Sequence, residues 1–216
     1  MSKEIKIGLI GAGWMGKAHT TAFHNARMIF GDDMPVFELV SDVSEDAVAK
    51  FAKNMGYNRY TTNWMDVVTD PAIDLVDVAT PNCMHYEMAK AALEHGKHVL
   101  CEKPFTINAE QAKELYALAE KKQLFIMEAF WFRFLPLYAK LQQMLADGVI
   151  GTLQTITCQY GFTTEGARRE RKFNSALGGG ALLDIGIYNL GFLQMVTGQQ
   201  PQNVQTQALR LTEYGT

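Results

Sequence analysis

Short, nearly continuous apolar runs alternate with amphipathic stretches along the first part of the chain. Ile5-Lys6-Ile7-Gly8-Leu9-Ile10, Val36 to Val40, Arg59-Tyr60-Thr61, Ile73 to Ala79, His98 to Cys101 and Leu124 to Met127 are predicted strands. Helical patterns lie between them. Met15 to Phe30 places Ala18, Ala22, Phe23 and Ala26 along one side, and a turn is predicted at Gly31-Asp32-Asp33-Met34-Pro35. Ser44 can cap a helix to about Asn54, and Asn63 a short one from Trp64 to Val68. A helix from His85 to His95 is stopped by Gly96, and Asn108 with Gln111 makes a capping box for another reaching Lys122. Apolar strands alternating with helices predict an α/β unit: a parallel, doubly wound sheet with right-handed crossovers.

The pattern changes after Glu128. Residues 131–146 read as one helix, followed by a β-type run from Leu153 to Tyr160. A polar loop covers Gly161 to Leu177 and contains Arg168-Arg169-Glu170-Arg171-Lys172. Gly178-Gly179-Gly180 precedes a helix from Ala181 to Val196, and a second alternating run spans Val204 to Thr212. Strands without regular βα alternation predict a second, α+β domain. The expected division is 1–125 and 126–216.

The first strand runs into Gly11-Ala12-Gly13-Trp14-Met15-Gly16. Three glycines at that spacing suit the pyrophosphate of a dinucleotide. The first allows the tight turn, the second lets backbone approach the phosphates, and the third lets helix and strand pack closely. The phosphates then meet free N–H groups at a helix N-terminus. Asp42, after the second strand, is placed to accept hydrogen bonds from the adenosine ribose hydroxyls. The plain alternative is a tight strand–helix turn with no ligand, and an Asp that caps the next helix.

Ligands of open α/β sheets bind beyond the carboxyl ends of the strands. Thr80-Pro81-Asn82, Glu102-Lys103-Pro104, and Glu128 with Trp131 and Arg133 fall at such ends. A lysine in a partly dry cleft can move protons, so Lys103 is a candidate; a solvated turn lysine is its alternative. Pro104 fixes the turn, with an X-Pro bond open to the cis form. Asp184 and Tyr188 lie four apart in a helical segment and share a face. Tyr188 can serve as general acid or base, with Asp184 orienting a hydroxyl or an ammonium. The alternative is a buried helix whose Asp satisfies a backbone group, and an Asp in that apolar setting needs a partner either way.

Composition narrows the partners. The 216 residues are 48% apolar and 20% charged, with a net charge of −3. That balance gives no electrostatic case for nucleic acid or an anionic membrane. No apolar run approaches the roughly 20 residues of a bilayer span. With a strand predicted within five residues of Met1, no signal peptide is visible. Cys83, Cys101 and Cys158 are scattered, with no metal-ligand spacing, so no metal is expected and a reducing cytoplasm is.

Together these residues resemble the glucose–fructose oxidoreductase/inositol dehydrogenase family (Gfo/Idh/MocA). The resemblance spans nearly the whole chain. It rests on the Gly11–Gly16 turn, Ala79-Thr80-Pro81-Asn82 with His85, Glu102-Lys103-Pro104, and the segment from Gly178 through Asp184 to Tyr188. Met127 to Phe134 looks most like the dihydrodiol dehydrogenase branch. Tyr188, where many relatives carry histidine, fits that branch and the glucose–fructose oxidoreductases.

The resemblance implies a Rossmann sheet followed by an α+β domain with a mostly antiparallel sheet. It implies hydride transfer between a nicotinamide cofactor and a secondary alcohol or carbonyl of a sugar-like or cyclic diol substrate. Lys103 is then the catalytic lysine. Asp184 and Tyr188 complete the polar set around the reacting carbon, with Tyr188 as proton donor or acceptor. Gly11, Gly13, Trp14, Met15, Gly16, Asp42, Thr80, Asn82, His85, Glu102 and Lys103 bind the cofactor, with Asn82 and Glu102 positioning the nicotinamide ribose and Lys103. Trp131, Arg133, Phe162 and Arg171 shape the substrate site. Asp42 stands where NADP-preferring relatives often place an arginine, so NAD(H) is favoured over NADP(H). The family's second sheet commonly forms a dimer interface, which implies a homo-oligomer.

Family members usually run considerably longer. Two long strands fall short of the family's second sheet, and a two-stranded sheet has little independent stability. The chain is therefore expected to be a C-terminally truncated piece, or to have its sheet edges covered by other chains, with an incomplete substrate pocket. A second function stands beside the enzyme: a non-catalytic dinucleotide-binding sensor or regulatory module, or an inactive fragment.

Overall fold

A computed structural model describes residues 4–31, 35–166 and 168–214, without the side chains of residues 27, 28, 30 and 168. Residues 32–34 of the expected turn lie outside that description. The chain divides into two compact units, Met1–Ala129 and Phe130–Thr216.

The first unit is built on six strands: β1 (Lys6–Ile10), β2 (Val36–Ser41), β3 (Arg59–Thr61), β4 (Leu75–Val78), β5 (His98–Cys101) and β6 (Ile126–Glu128). Their order is β3-β2-β1-β4-β5-β6, and every neighbouring pair is parallel. Strand order reverses between β1 and β4, the switch point where such sheets bind ligands. The strands read as apolar runs because both faces are covered: Ile7, Leu9 and Ile10 of β1 and Val76 and Val78 of β4 are all buried.

Five helices connect the strands: α1 (Trp14–Phe30), α2 (Glu45–Met55), α3 (Trp64–Thr69), α4 (His85–Glu94) and α5 (Ala109–Lys122). Local chemistry fixes their starts. Ser44, Asn63 and Asn108 each accept a hydrogen bond from a first-turn N–H. The Gln111 side chain accepts from Ile107 rather than from Asn108, so the expected capping box closes one residue early. One core cluster lies among β4, β5, α4 and α5, including Val76, Val99, Met88, Leu93 and Leu115. A second gathers Leu9, Phe37, Val40, Val48 and Tyr57.

The second unit departs further from its pattern. The single helix expected over 131–146 is broken into a 3-10 turn, Trp131–Phe134, and α6, Pro136–Ala146. Pro136 is the cause. It has no N–H to give the preceding turn, it sits at the start of α6, and Leu135 before it is extended. The expected loop contains α7 (Arg168–Phe173) and a 3-10 turn, Ser175–Leu177. The expected helix after Gly180 opens with a π-helical turn, Leu182–Gly186, and continues as α8, Ile187–Thr197.

Neither Leu153–Tyr160 nor Val204–Thr212 is paired into a sheet among the described residues. Those residues therefore do not show the expected antiparallel sheet. Alternation gives a segment the capacity for a strand, but the ladder needs a partner. Val204 and Leu209 remain exposed. One further expectation is revised. Ser175–Thr197 is long and apolar enough to cross a bilayer by length and composition alone, a test that core helices also pass.

Candidate functional site

The three glycines of the first turn occupy three different environments. Gly11 has φ +104°, and a Cβ there would lie 2.6 Å from the carbonyl oxygen of Ala79. Its N–H donates to the Ser41 carbonyl at 2.9 Å, closing the turn against β2. A Cβ on Gly16 would lie 2.1 Å from the Gly11 carbonyl oxygen, so only glycine lets α1 start this close to the turn. Gly13 is the opposite case. A Cβ there meets nothing within 4 Å. Beside it Trp14 is 80% exposed, and Met15 is half-buried.

That open backbone stands at the N-terminus of a 17-residue helix, whose first N–H groups have no partners within the helix. The arrangement fits a dinucleotide pyrophosphate: room at Gly13, donors from the first turn of α1, and a dipole that favours negative charge. The half-buried Asp42 closes one side of the turn. Its Oδ2 accepts from the Ala12 N–H at 2.8 Å.

The carboxyl ends of β4 and β5 are tied together by His85. Its ring is fully buried, with Nδ1 2.8 Å from the Pro104 carbonyl and Nε2 2.9 Å from the Thr80 carbonyl. Burial holds its pKa below the usual histidine range, against the pull of the two carbonyls. A neutral imidazole has one N–H, so it donates to one of these oxygens at a time. His85 thus fixes the backbone of both loops rather than presenting its ring to a ligand. Asn82, at the start of the 3-10 turn between Pro81 and His85, is buried as well.

Lys103 begins the second loop. Its peptide bond to Pro104 is cis. Its N–H donates to Glu102 Oε2 at 3.0 Å, and the Phe105 N–H donates to Glu128 Oε1 at 2.9 Å. The lysine is half-buried, and carboxylates from both sides of the turn hold the backbone that carries it.

The structure adds a residue that the sequence reading missed. His19 of α1 places Nδ1 3.0 Å from both carboxylate oxygens of Asp77 and Nε2 2.9 Å from Glu102 Oε1. Burial alone would lower its pKa. The bonds to Asp77 and Glu102 reverse that and push it up to about 10. Burial pushes the Asp77 carboxyl up, and His19 pulls it back. The available signal was Asp77 itself: a carboxylate inside an apolar strand requires a partner.

In the second unit Asp184 lies in the π-helical turn and Tyr188 in the first turn of α8. Lys172 donates to Asp184 Oδ2 at 2.9 Å, and its ammonium sits 3.8 Å from the centre of the Phe162 ring. The Tyr188 hydroxyl accepts from Trp131 Nε1 at 3.1 Å. Phe130 stacks on the Tyr188 ring, and Phe132 and Tyr160 meet it edge-on. Phe162 meets Tyr160, so Tyr188, Trp131 and Phe162 belong to one aromatic cluster, which Lys172 links to Asp184. Arg133 turns to Gln194, donating at 2.8 Å, while Arg171 is exposed on α7. Among the described residues, no group of three or more His, Cys, Asp or Glu side chains could hold a metal ion.

Known proteins share both units. Residues 5–130 match an oxidoreductase family with an NAD-binding Rossmann fold (GFO_IDH_MocA), and residues 138–215 match the GFO/IDH/MocA C-terminal domain. The chain is 32% identical over 203 residues to levoglucosan dehydrogenase of Pseudarthrobacter phenanthrenivorans, covering 91% of this chain and 52% of that one. It is 38% identical over 155 residues to trans-1,2-dihydrobenzene-1,2-diol dehydrogenase of Xenopus tropicalis, covering 71% and 46%. A solved levoglucosan dehydrogenase in complex with NADH and levoglucosan superposes with a TM-score of 0.77 at 30% identity, covering 91% of this chain and 55% of that one. The chain spans about half the length of the curated relatives it matches.

Proposed function

The chain belongs to the GFO/IDH/MocA oxidoreductase family, and from that premise we propose that it serves NAD(P)-dependent dehydrogenation of a secondary alcohol in a sugar or cyclic diol. The observation that carries the reading is the glycine turn. It is closed by Gly16, open at Gly13, and set at the start of α1, in the same sheet whose β5 delivers Lys103. The relatives' substrates, levoglucosan and a dihydrodiol, support the substrate class.

The residues divide the work as follows. The turn and the first N–H groups of α1 hold the pyrophosphate. Asp42 accepts from the adenosine ribose, and its charge repels a 2′-phosphate, which favours NAD over NADP. Thr80 and Asn82 line the nicotinamide ribose, and His85 fixes their loop. When bound, the nicotinamide supplies hydride transfer. Lys103 takes the hydroxyl proton or hands it to a neighbour. Tyr188 is the second proton-transfer candidate, with Asp184 fixed by Lys172. Trp131, Phe162, Arg133 and Arg171 are assigned to the substrate. Leu153–Tyr160 and Val204–Thr212 are proposed as strands of a mostly antiparallel sheet that also carries self-association.

The test has two stages. Titration of NADH fluorescence reads binding, and turnover on a panel of anhydrosugars, aldoses and cyclic diols reads chemistry. Saturable binding with turnover that Lys103→Met abolishes is the expected result. Binding without turnover on any member supports the sensor instead, a reading favoured by the lack of sheet pairing at Leu153–Tyr160 and Val204–Thr212 among the described residues. Absence of an NADH signal overturns both.

A further inference from the structure

The imidazole of His19 reaches past the site residues named above. It comes from α1, the helix that begins at the glycine turn, and meets Asp77 of β4 and Glu102 at the end of β5. Asp77 is 1% exposed and Glu102 4%. A carboxylate on each side of the ring calls for an N–H on both nitrogens, which only the imidazolium has. The two carboxylates in turn need that cation, because unpaired buried charge is costly.

One detail separates this cluster from a structural ion pair. Glu102 uses one oxygen for His19, at 2.9 Å, and the other for the Lys103 N–H, at 3.0 Å. Asp77 alone would have sufficed to pair a buried histidine. The second bond instead runs through Glu102 to the backbone of the lysine.

We propose that His19 is a positioning residue for Lys103: as a doubly bonded imidazolium it holds Glu102 in the orientation that fixes the Lys103 turn, coupling the phosphate-binding helix to the proton-transfer lysine. The proposal rests on the reading of Lys103 as that lysine. Two consequences follow. Loss of the second N–H frees Glu102 and loosens Lys103, while the glycine turn, built by other residues, keeps its shape. Activity then falls through kcat rather than through cofactor affinity.

His19→Gln keeps a donor for one carboxylate only. Its kcat is expected to fall about 30-fold or more, with substrate KM and NADH Kd within about threefold of wild type. Hydrogen exchange of the Lys103 amide should accelerate about tenfold or more, with the rest of β5 unchanged. The double variant H19Q/D77N removes the orphaned carboxylate. It should regain the thermal midpoint but not kcat. Recovery of both, or wild-type kcat and Lys103 exchange in H19Q, overturns the proposal in favour of a structural pair. Should H19Q fail to fold, the wild-type protein decides. The Lys103 amide resonance must move with the His19 ring resonances on alkaline titration, and independent movement overturns the proposal. Failure of the wild type to turn over any sugar or diol overturns the proposed function instead, and the exchange and titration experiments still decide the role of His19.

Discussion

The Ala12 amide donates to the Asp42 carboxylate at 2.8 Å, joining the glycine turn to the end of β2. Asp42 therefore holds the turn from one side, and the proposed function gives it a second task, setting the charge offered to the adenosine ribose. Asp42→Asn separates them, because an amide oxygen still accepts from Ala12 while the charge is gone. The thermal midpoint should move by no more than about 3 °C. The ratio of NADPH to NADH affinity should rise about tenfold or more, since the charge that opposes a 2′-phosphate is removed. Fluorescence titrations with the two nucleotides measure it. An unchanged ratio would place Asp42 away from the 2′ position.

Alanine at the second and third glycines should have opposite effects. At Gly16 the added methyl would lie 2.1 Å from the Gly11 carbonyl oxygen, so the main chain itself must shift. Gly16→Ala is expected to lose about 3 kcal/mol or more, read by urea denaturation. At Gly13 the methyl meets nothing, so stability should stay within about 1 kcal/mol. Under the proposed function the same methyl occupies the backbone that the pyrophosphate approaches, and NADH affinity should fall about tenfold or more. Intact NADH binding by Gly13→Ala would move the phosphate site away from this turn.

The first unit was legible in the sequence because its determinants are local. Strands buried on both faces read as apolar runs, and Ser44, Asn63 and Asn108 mark helix starts by side chains that act within one turn. The tight turn at Gly11 and the close helix approach at Gly16 followed from the glycine spacing, since each concerns its own immediate backbone. Pro136 was visible too, but the aromatic run from 131 masked the break it imposes. What stayed hidden is long-range. Leu153–Tyr160 and Val204–Thr212 alternate as strands do, yet pairing depends on partners that alternation cannot name. Lys172 reaches Asp184 from a segment expected to be loop. His19 looks like any polar residue of an amphipathic helix until α1, β4 and β5 are assembled around it.

His19 also predicts how stability depends on pH. Its folded pKa, about 10, lies above the unfolded value of 6.5. The folded state therefore binds the proton more tightly, and the contribution is complete below pH 6.5. It is lost as pH rises toward about 10, where the imidazolium that faces Asp77 and Glu102 deprotonates. Urea midpoints from pH 7 to 10 should fall more steeply for wild type than for His19→Gln. Parallel curves would mean that the ring is neutral at pH 7.

His85 acts on the other side of neutrality. Its pKa is held below 6.5 by burial, so the unfolded chain binds the proton more readily. Stability should accordingly fall as pH drops below 6.5, before the carboxylates titrate. Protonation gives the ring an N–H for both the Thr80 and Pro104 carbonyls, but it places a charge in a fully buried site, and burial dominates. Comparing wild type with His85→Gln between pH 7 and 5 isolates the slope. A His85→Gln protein with the same acid slope would assign it elsewhere.

Tyr188 and Trp131 offer a test in the second unit. The phenol oxygen accepts from the indole N–H at 3.1 Å, and Trp131 is 56% exposed. In Tyr188→Phe the freed indole N–H can turn to water, so stability should change by no more than about 1 kcal/mol. If the phenol moves a proton, kcat on an active substrate should fall about 100-fold or more. Trp131→Phe then distinguishes chemistry from packing. If the indole N–H orients the phenol for proton transfer, removing it should lower kcat with KM little changed. A Trp131 that only packs against substrate would raise KM and leave kcat in place. A kcat loss in Trp131→Phe that vanishes in the Tyr188→Phe background would tie the effect to the tyrosine itself. The double variant is needed because Phe130, Phe132 and Tyr160 also touch the ring, and their repacking alone would lower kcat in the Tyr188→Phe background as well.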